Sequence, residues 1–381
     1  MRDRLLVLCG LAGVIAGLFA VPWTARPAAA SIRAVPVLAY YYIWFDEASW
    51  NRAKIDYPIL GRYDSDDASV MERHVKWAKA AGIDGFIVSW KSTPTLDDRL
   101  AKLIKVADDQ HFKLVVIYQA LDFTREPLAV DHIRQDLTLF ASKWSGDPAF
   151  ALFAKPIVIV SGTWEFSHAE LTVALGSLRN QLLILASERD VDGYEKVADL
   201  VDGDAYYWSS VNPDVDTGAA KKLADLGEAI HRRDGLWIAP AAPGFDARLI
   251  GGTRVVPRKG GDTLRAEIAA ALDSSPDALG VISWNEFSEN SHVEPSVTYG
   301  GEALETLADV AGLEPPSGLD VDSSDSGGST EGIGPERLIA FAGIGLLILV
   351  SIAGIAARRR AAIPDSPSLP EPGGTSSGSP S

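Results

Sequence analysis

The stretch that decides the fold is residues 279–295, LGVISWNEFSENSHVEP, in a chain of 381 residues. Its first four residues are apolar, which predicts a short buried strand. Glu286 and Glu289 follow where that strand ends, and a helical turn at Asn285 would let them share one pocket, because residues three apart are neighbours in such a turn. Two carboxylates beside aromatic rings supply a proton donor, a base and a flat surface for a sugar. A solvated acidic turn is the alternative that the local composition leaves open.

Seven more short apolar segments precede this one, so that eight strands are predicted, at residues 37–44, 85–90, 113–118, 156–161, 182–187, 205–208, 236–241 and 279–284. Most are apolar nearly throughout, as parallel strands covered on both faces are. Helical patterns alternate with them, at residues 68–81, 96–109, 130–143, 167–178, 194–200, 217–232, 262–273 and 301–311. This α/β alternation predicts a (β/α)8 TIM barrel over residues 31–313. No GxGxxG or P-loop pattern follows the first strand, which disfavours a nucleotide-binding doubly wound sheet.

Aromatic residues lie at or just past the predicted C-terminal ends of six strands, where a barrel carries its active site. They are Trp44, Trp90, Tyr118, Trp164, Trp208 and Trp284. One such residue would usually be packing, but six on one rim predict a surface that stacks on sugars. Acidic residues near the same ends could bind hydroxyls or transfer protons, and they are Asp46, Asp122, Glu188, Asp204 and Asp246.

Both ends of the chain are predicted to lie outside the barrel. Residues 1–30 have a charged start, an apolar run and small residues before position 31, which indicates a cleaved signal peptide, an uncleaved anchor being the alternative. Residues 338–357 carry no charge and would span about 30 Å as a helix, the thickness of a hydrocarbon core. The three arginines at 358–360 then place the disordered tail, 358–381, in the cytoplasm and the barrel outside. Residues 314–337 are rich in Gly, Ser, Asp and Pro and are predicted to be a flexible linker.

Composition disfavours several function classes. A net charge of −16 argues against nucleic acid as a partner. The only cysteine, Cys9, lies in the predicted signal peptide, so we expect no disulfide, no thiol nucleophile and no cysteine metal site. The six histidines have no paired metal-ligand spacing and no Gly-x-Ser-x-Gly elbow is present, which disfavours a metallohydrolase and a serine hydrolase. We therefore expect a monomeric domain with no metal and no cofactor.

The stretch 279–295 resembles the catalytic signature of glycoside hydrolase family 99, the endo-α-mannosidase and endo-α-mannanase family, which runs roughly W/F-N-E-W-x-E-G-T-x-I-E-P. Other segments are similar to the family's in the same order, at residues 40–45, 57–65, 82–90, 202–206, 243–246 and 253–254. The resemblance covers essentially all of the predicted barrel, and the final motif is its most specific part.

The resemblance implies a retaining, endo-acting hydrolase of an α-linked, mannan-like glycan, and the predicted helix at residues 338–357 would tether it to the membrane. Glu286 would match the residue that deprotonates the sugar's 2-hydroxyl, which attacks C1 to give a 1,2-anhydro sugar. Glu289 would match the general acid that protonates the leaving oxygen and then activates water. Asn285 would orient Glu286 or a sugar hydroxyl. The substrate-binding residues predicted from motif and rim together are Tyr41, Trp44, Trp90, Asp122, Tyr206, Trp208, Asp246, Arg254, Trp284, Asn285 and His292.

Two departures from the family pattern stand out. Asn290 and Ser291 replace Gly-Thr after the second glutamate. The family's Glu-Pro-Tyr at the end of the third strand is absent, which leaves Asp122 as the stand-in for a substrate-binding glutamate. The same frame also occurs in domains associated with polysaccharide biosynthesis, so a transferase-like domain and a glycan-binding barrel without catalysis stay open as alternatives. The two intact glutamates favour the enzyme.

Overall fold

The computed structural model describes residues 32–52, 54–122 and 124–319. Its strands are β1 (Val37–Tyr42), β2 (Gly85–Trp90), β3 (Lys113–Gln119), β4 (Ile157–Ser161), β5 (Leu183–Leu185), β6 (Gly203–Ala205), β7 (Leu236–Ala241), β8 (Phe245–Asp246), β9 (Val255–Val256) and β10 (Ala278–Val281). Eight of them form one parallel sheet in the order β5-β4-β3-β2-β1-β10-β7-β6, and β8 and β9 form a separate hairpin. A parallel bridge between Ala186 and Asp204 joins the two edge strands. The sheet therefore curls into a nearly closed barrel, which confirms the predicted fold.

A helix follows each barrel strand and covers the outside of the sheet. The helices are α1 (Glu47–Trp50), α2 (Ala68–Ala80), α3 (Pro94–Asp109), α4 (Val130–Lys143), α5 (His168–Leu175), α6 (Val191–Val197), α7 (Ala219–His231), α8 (Asp262–Asp273) and α9 (Glu302–Val310). The short α1 lies in the connection between β1 and α2, and the β8–β9 hairpin lies in the connection between β7 and α8.

The ends of α2 show how the sequence sets helix limits. The Asp67 side chain accepts a hydrogen bond from the amide of Ser69, which satisfies one of the free N–H groups of the first turn. At the other end, Gly82 has φ +82°, a left-handed conformation that favours glycine. A Cβ there would also lie 3.1 Å from Leu313. Both ends of the helix therefore follow from the local sequence.

Side chains along each barrel strand alternate between two cores. The outer core lies between sheet and helices and contains Tyr41 and Phe86, among others. The inner core fills the barrel and contains Tyr40 and Ile87. Because both faces of the strands are buried, the strands are apolar nearly throughout, as the sequence indicated.

Four predicted strands are too long at their C-terminal ends, among them the fifth, which ends at Leu185 and not at residue 187. The last strand ends at Val281 because the amide of Ser283 donates to the carbonyl of Ser291, 2.8 Å away, and leaves the ladder. The first strand likewise ends at Tyr42 and not at residue 44. The sixth is paired with β7 only over Gly203–Ala205, and residues 206–208 project from the sheet as a loop. These chain segments build the mouth of the barrel.

The folded domain continues past its predicted boundary at residue 313. Leu319 is buried and belongs to the outer core. Within the described ranges, no helix is both long and apolar enough to cross a bilayer. The predicted signal peptide (1–30), transmembrane helix (338–357), tail (358–381) and most of the linker (314–337) lie outside those ranges.

Candidate active site

The segment after β10 forms a compact loop that carries both predicted catalytic carboxylates. The carbonyl of Ser283 accepts from the amide of Val293 at 2.8 Å, and the Ser283 hydroxyl accepts from the amide of Glu286 at 2.8 Å. Residues 287–290 then form a turn. This turn brings Glu289 close enough to Glu286 for their charges to interact.

Asn290 explains one departure from the family signature. Its φ is +52°, in the left-handed region that favours glycine and that asparagine tolerates better than most residues. Its side chain donates to the hydroxyl of Tyr299 at 3.1 Å, and Arg258 donates to its carbonyl at 3.0 Å. Asparagine therefore occupies, directly after Glu289, a backbone conformation that glycine adopts readily.

Glu286 is almost completely buried but is supported as an anion. Its Oε1 accepts from the amide of Ser288 at 2.9 Å. Burial raises the pKa of Glu286, whereas the Ser288 hydrogen bond and the positive charges of Lys54 and Arg52 lower it. Because the hydrogen bond and the two positive charges offset part of the effect of burial, Glu286 ionises at lower pH than a buried carboxyl without them.

Glu289 has much weaker support for a negative charge. It is 1% exposed, and its Oε2 accepts a long hydrogen bond of 3.4 Å from the hydroxyl of Ser209. Burial, followed by the negative charge of Glu286, raises the pKa of Glu289 well above its ordinary value. The proton of the pair therefore resides on Glu289, which leaves one acid and one base in the same site.

Two tyrosines that the sequence reasoning missed lie beside the carboxylates. The hydroxyls of Tyr42 and Tyr207 are 2.8 Å apart. Burial and then the charges of Glu286 and Glu289 raise the pKa of Tyr42 well above its ordinary value. Both phenols stay neutral and can exchange hydrogen bonds with sugar hydroxyls.

The carboxylates are flanked by two hollows at the barrel mouth. The larger one has a lining that includes Tyr42, Gln119, Trp164, Arg189, Tyr206 and Tyr207. The smaller one is lined by Glu286 itself with Trp44, Phe45, Arg52, Lys54 and Ser288. Among the predicted substrate-binding residues, Trp44 and Tyr206 are those that the structure brings to these hollows.

Asn285 lies behind the site and not in it. It is completely buried, its Oδ1 accepts from the amide of Tyr42, and its Nδ2 donates to the carbonyl of Tyr42, both at 2.9 Å. The same Nδ2 donates to the hydroxyl of Tyr63, which donates to Glu294 at 2.8 Å. Glu294 in turn lies 2.9 Å from Nε2 of His74. This buried chain of hydrogen bonds ties the motif to β1, so Asn285 acts as a positioning residue and the prediction of substrate contact is corrected.

Three predicted aromatic contacts also belong to the outer core. Tyr41 stacks on Phe86 with ring centroids 4.4 Å apart. The indole N–H of Trp90 donates to Asp97 of α3 at 3.0 Å. Trp284 is 0% exposed and packs among the same residues. Each of these side chains faces the helices, so none of the three reaches the hollows.

His292 holds the motif loop to the segment after α1. Its ring stacks on Phe287 at 4.0 Å, and its Nε2 lies 3.1 Å from Asp56. Burial and then the charge of Arg258 lower the pKa of His292 to about 4, so the ring is neutral near pH 7. The predicted substrate contact is corrected to a packing role.

Asp122 and Asp246 have their carboxylates engaged in their own loops. Asp122 accepts from the amides of Thr124 and Glu126 at 2.7 and 2.9 Å. Asp246 accepts from the guanidinium of Arg248, and its amide donates to the carbonyl of Glu289 at 2.8 Å. Asp246 therefore supports the turn that carries the acid.

Arg254 and Trp208 lie to one side of the hollows. Arg254 pairs with Asp216 and donates to the carbonyl of Ser210 at 3.1 Å. Trp208 lines a separate groove beside α7 and α8, with the ammonium of Lys222 4.6 Å from its ring.

The remaining acids near the mouth are committed elsewhere. Asp46 caps α1, Glu188 accepts from the hydroxyl of Thr163 at 2.5 Å, and Asp204 accepts from the amide of Glu188 at 2.7 Å. Glu286 and Glu289 are thus the carboxyl pair left for chemistry. Within the described ranges, no three His, Cys, Asp or Glu side chains group closely enough to hold a metal ion.

Comparison with known proteins gives one family and several similar structures. A model of glycosyl hydrolase family 99 matches residues 47–311. The GH99 endo-α-mannosidase of Bacteroides thetaiotaomicron in complex with BIS-TRIS-propane has a similar structure, with a TM-score of 0.64 and 17% identity over 72% of this chain and 95% of that one. A second structure of that enzyme has a TM-score of 0.62 at 16% identity, over 72% and 95% of the two chains. A glycoside hydrolase-like protein scores 0.59 at 16% identity, over 72% and 93%. No curated protein matches the sequence significantly.

Proposed function

Because the chain belongs to glycosyl hydrolase family 99 and is therefore a glycoside hydrolase, we propose that it is a retaining endo-glycosidase of α-linked, mannan-like glycans. One observation carries this proposal. Two buried carboxyls lie together, and the one that keeps its proton, Glu289, is the one in the position of the general acid. The likeness to endo-α-mannosidases supports the same substrate class.

In the first step, Glu286 accepts the proton of the sugar's 2-hydroxyl while that oxygen attacks C1. The bond between C1 and the leaving oxygen breaks, and Glu289 donates its proton to that oxygen. The product is a 1,2-anhydro sugar, held with Glu286 protonated and Glu289 ionised. The pKa order of the pair supports these roles, because an acid that is protonated near neutrality is poised to donate.

In the second step, water attacks C1 and gives its proton to Glu289. The bond from C1 to the 2-oxygen opens, and that oxygen recovers its proton from Glu286. Two inversions at C1 give overall retention, and both carboxyls return to their starting states. No carboxylate nucleophile is needed, which agrees with the commitment of Glu188, Asp204 and Asp246 to other partners.

We further propose that the enzyme acts outside the cytoplasm while held at the membrane. The apolar runs at 5–21 and 338–357 and the arginines at 358–360 support this topology. An acidic linker would hold the acidic barrel clear of an anionic membrane surface.

The proposal is tested by incubating the full chain in detergent with α-mannans, α-glucans and arabinans and sizing the products. We expect internal cleavage of an α-mannan. Glu286→Gln should abolish it, and a 2-deoxy or 2-fluoro substrate should resist the wild type, because both changes remove the attacking 2-oxyanion. Binding without cleavage across the panel would favour the alternative of a glycan-binding barrel without catalysis.

A further inference from the structure

Positive side chains outnumber negative ones in the linings of the two hollows. The whole chain carries a net charge of −16. Nevertheless, Arg52 and Lys54 line the smaller hollow beside Glu286, and Arg189 lines the larger one. The charge of Arg125 acts on both Arg189 and Glu289, which places it on the same side. A cationic cleft on an acidic surface raises the local concentration of anions.

Arg189 is the residue among these that is presented for binding. Its guanidinium carbon lies 4.4 Å from the centre of the Trp164 ring. Among the described residues it has no ion-pair partner, and the acids beside it in sequence are engaged. Glu188 accepts from Thr163, and Asp190 caps α6 through the amide of Gly193 at 2.9 Å.

The cations near Arg189 also repel one another. Burial, and then the charge of Arg189, lowers the pKa of Arg125. Burial, with a smaller contribution from Arg189, lowers the pKa of Lys222. Grouping like charges in a partly buried place costs free energy, and a bound anion would remove that cost.

We propose that the substrate is an anionic glycan whose carboxylate or phosphate group is bound by Arg189, with the guanidinium held in place by its contact with the Trp164 ring. The inference rests on the proposed function, because it names the substrate class for the same cleft. A guanidinium presents two parallel N–H donors to a carboxylate or phosphate, and stacking on the indole leaves the edge of the guanidinium that carries these donors available. Arg52 and Lys54 extend the positive field to the other side of the catalytic pair.

A substitution at Arg189 should alter ligand binding without altering proton transfer. Lys54 and Arg52 lower the pKa of Glu286, and Arg125 lowers that of Glu289, so changes there would disturb both functions. The pKa of Glu289 responds to Glu286, Ser209 and Arg125, and not to Arg189. A change at Arg189 therefore reports on the charge of the ligand.

The experiment measures binding to the full chain carrying Glu289→Gln, which keeps the glycans intact. The ligands are a neutral α-mannan oligosaccharide, its counterpart oxidised to a carboxylate at C6, and a phosphorylated counterpart. We expect one anionic ligand to bind roughly ten-fold or more tightly than the neutral one, with a preference that falls as salt rises. Adding Arg189→Gln should remove the preference, and Arg189→Lys should restore part of it. Arg134→Gln, at an exposed position of α4, is the matched control and should leave the preference unchanged.

Each outcome decides the question. Equal affinity for neutral and anionic ligands overturns the proposal, and a preference that survives Arg189→Gln overturns the role of that residue. Melting temperatures show whether the variants are folded. If Arg189→Gln is destabilised, the charge preference of Arg189→Lys is compared with that of the wild type instead. If the wild type binds an anionic glycan tightly but cleaves no glycan, the hydrolytic proposal is refuted and the proposal of an anionic ligand still holds. Cleavage of neutral mannan without any charge preference would support the hydrolytic proposal and refute the proposal of an anionic substrate.

Discussion

Replacing Glu289 with glutamine should damage catalysis and stabilise the fold. The wild-type carboxyl is 1% exposed, accepts one hydrogen bond of 3.4 Å, and lies beside the charge of Glu286. A glutamine keeps the acceptor for Ser209 and cannot ionise. The same features that keep a proton on Glu289 therefore make its ionised form costly to the folded state.

The two effects have different magnitudes. Loss of a positioned proton donor should lower kcat by roughly 10²–10⁴, or about 3–5 kcal/mol. The gain in unfolding free energy should be about 0.5–2 kcal/mol, the range typical of single stabilising changes. In a domain of this size, that corresponds to roughly 2–4 °C in Tm for each kcal/mol.

The sign of the pH dependence follows from the raised pKa of Glu289. The folded state favours the neutral carboxyl, so the wild type loses stability relative to the variant as pH rises from the ordinary value of 4.5 through the raised one. The Tm advantage of Glu289→Gln should therefore be present at pH 7.5 and small at pH 4. Glu72→Gln, at an exposed position of α2, is the control and should show no such trend.

Kinetics on two substrates complete the test. An activated aryl glycoside needs little protonation of its leaving group and should recover part of the lost rate in the first step. A Tm advantage that is equal at pH 4 and pH 7.5 would refute the ionisation argument. Full activity of Glu289→Gln on the natural glycan would place the active site elsewhere.

Two further predictions concern the turn and the topology. Asn290→Ala should lower the free energy of unfolding by about 1–2 kcal/mol, because alanine is strained at φ +52°, and should lower kcat by shifting Glu289. Asn290→Gly should keep most activity. Equal thermal stability of the two variants would contradict this account. Protease added to intact cells should remove the barrel and spare a tag placed after residue 381, and loss of the tag would reverse the proposed orientation.

The alternation of strands and helices could be predicted because each signal is local. Buried parallel strands are continuous apolar runs, and helix ends carry caps such as Asp67 and Gly82. The C-terminal ends of strands could not be placed this way. The stretch 279–284 is apolar except for Ser283, and the amide of Ser283 leaves the ladder for a partner, Ser291, that the pattern does not reveal.

Part of the site was hidden for a different reason. Tyr207, Ser209 and Arg189 come from the connections after β5 and β6, and they meet the motif across the mouth of the barrel. No local pattern marks such residues, because their role comes from contacts distant in sequence. Glu286 and Glu289 could be found because two carboxylates and their turn lie within four residues.

The predicted rim of aromatic residues was only partly right because position at a strand end does not determine direction. Tyr41 and Tyr118 face the helices, whereas their neighbours Tyr42 and Gln119 face the hollow. Hydrophobicity could not separate the two sets, since both faces of these strands are buried. A polar signal was available instead, because the last inward-facing residues of β2, β3 and β4 can form hydrogen bonds. These residues are Ser89, Gln119 and Ser161, and Ser187 occupies a similar place just after β5. Trp90 directly follows one of them, so alternation alone places its side chain in the outer core.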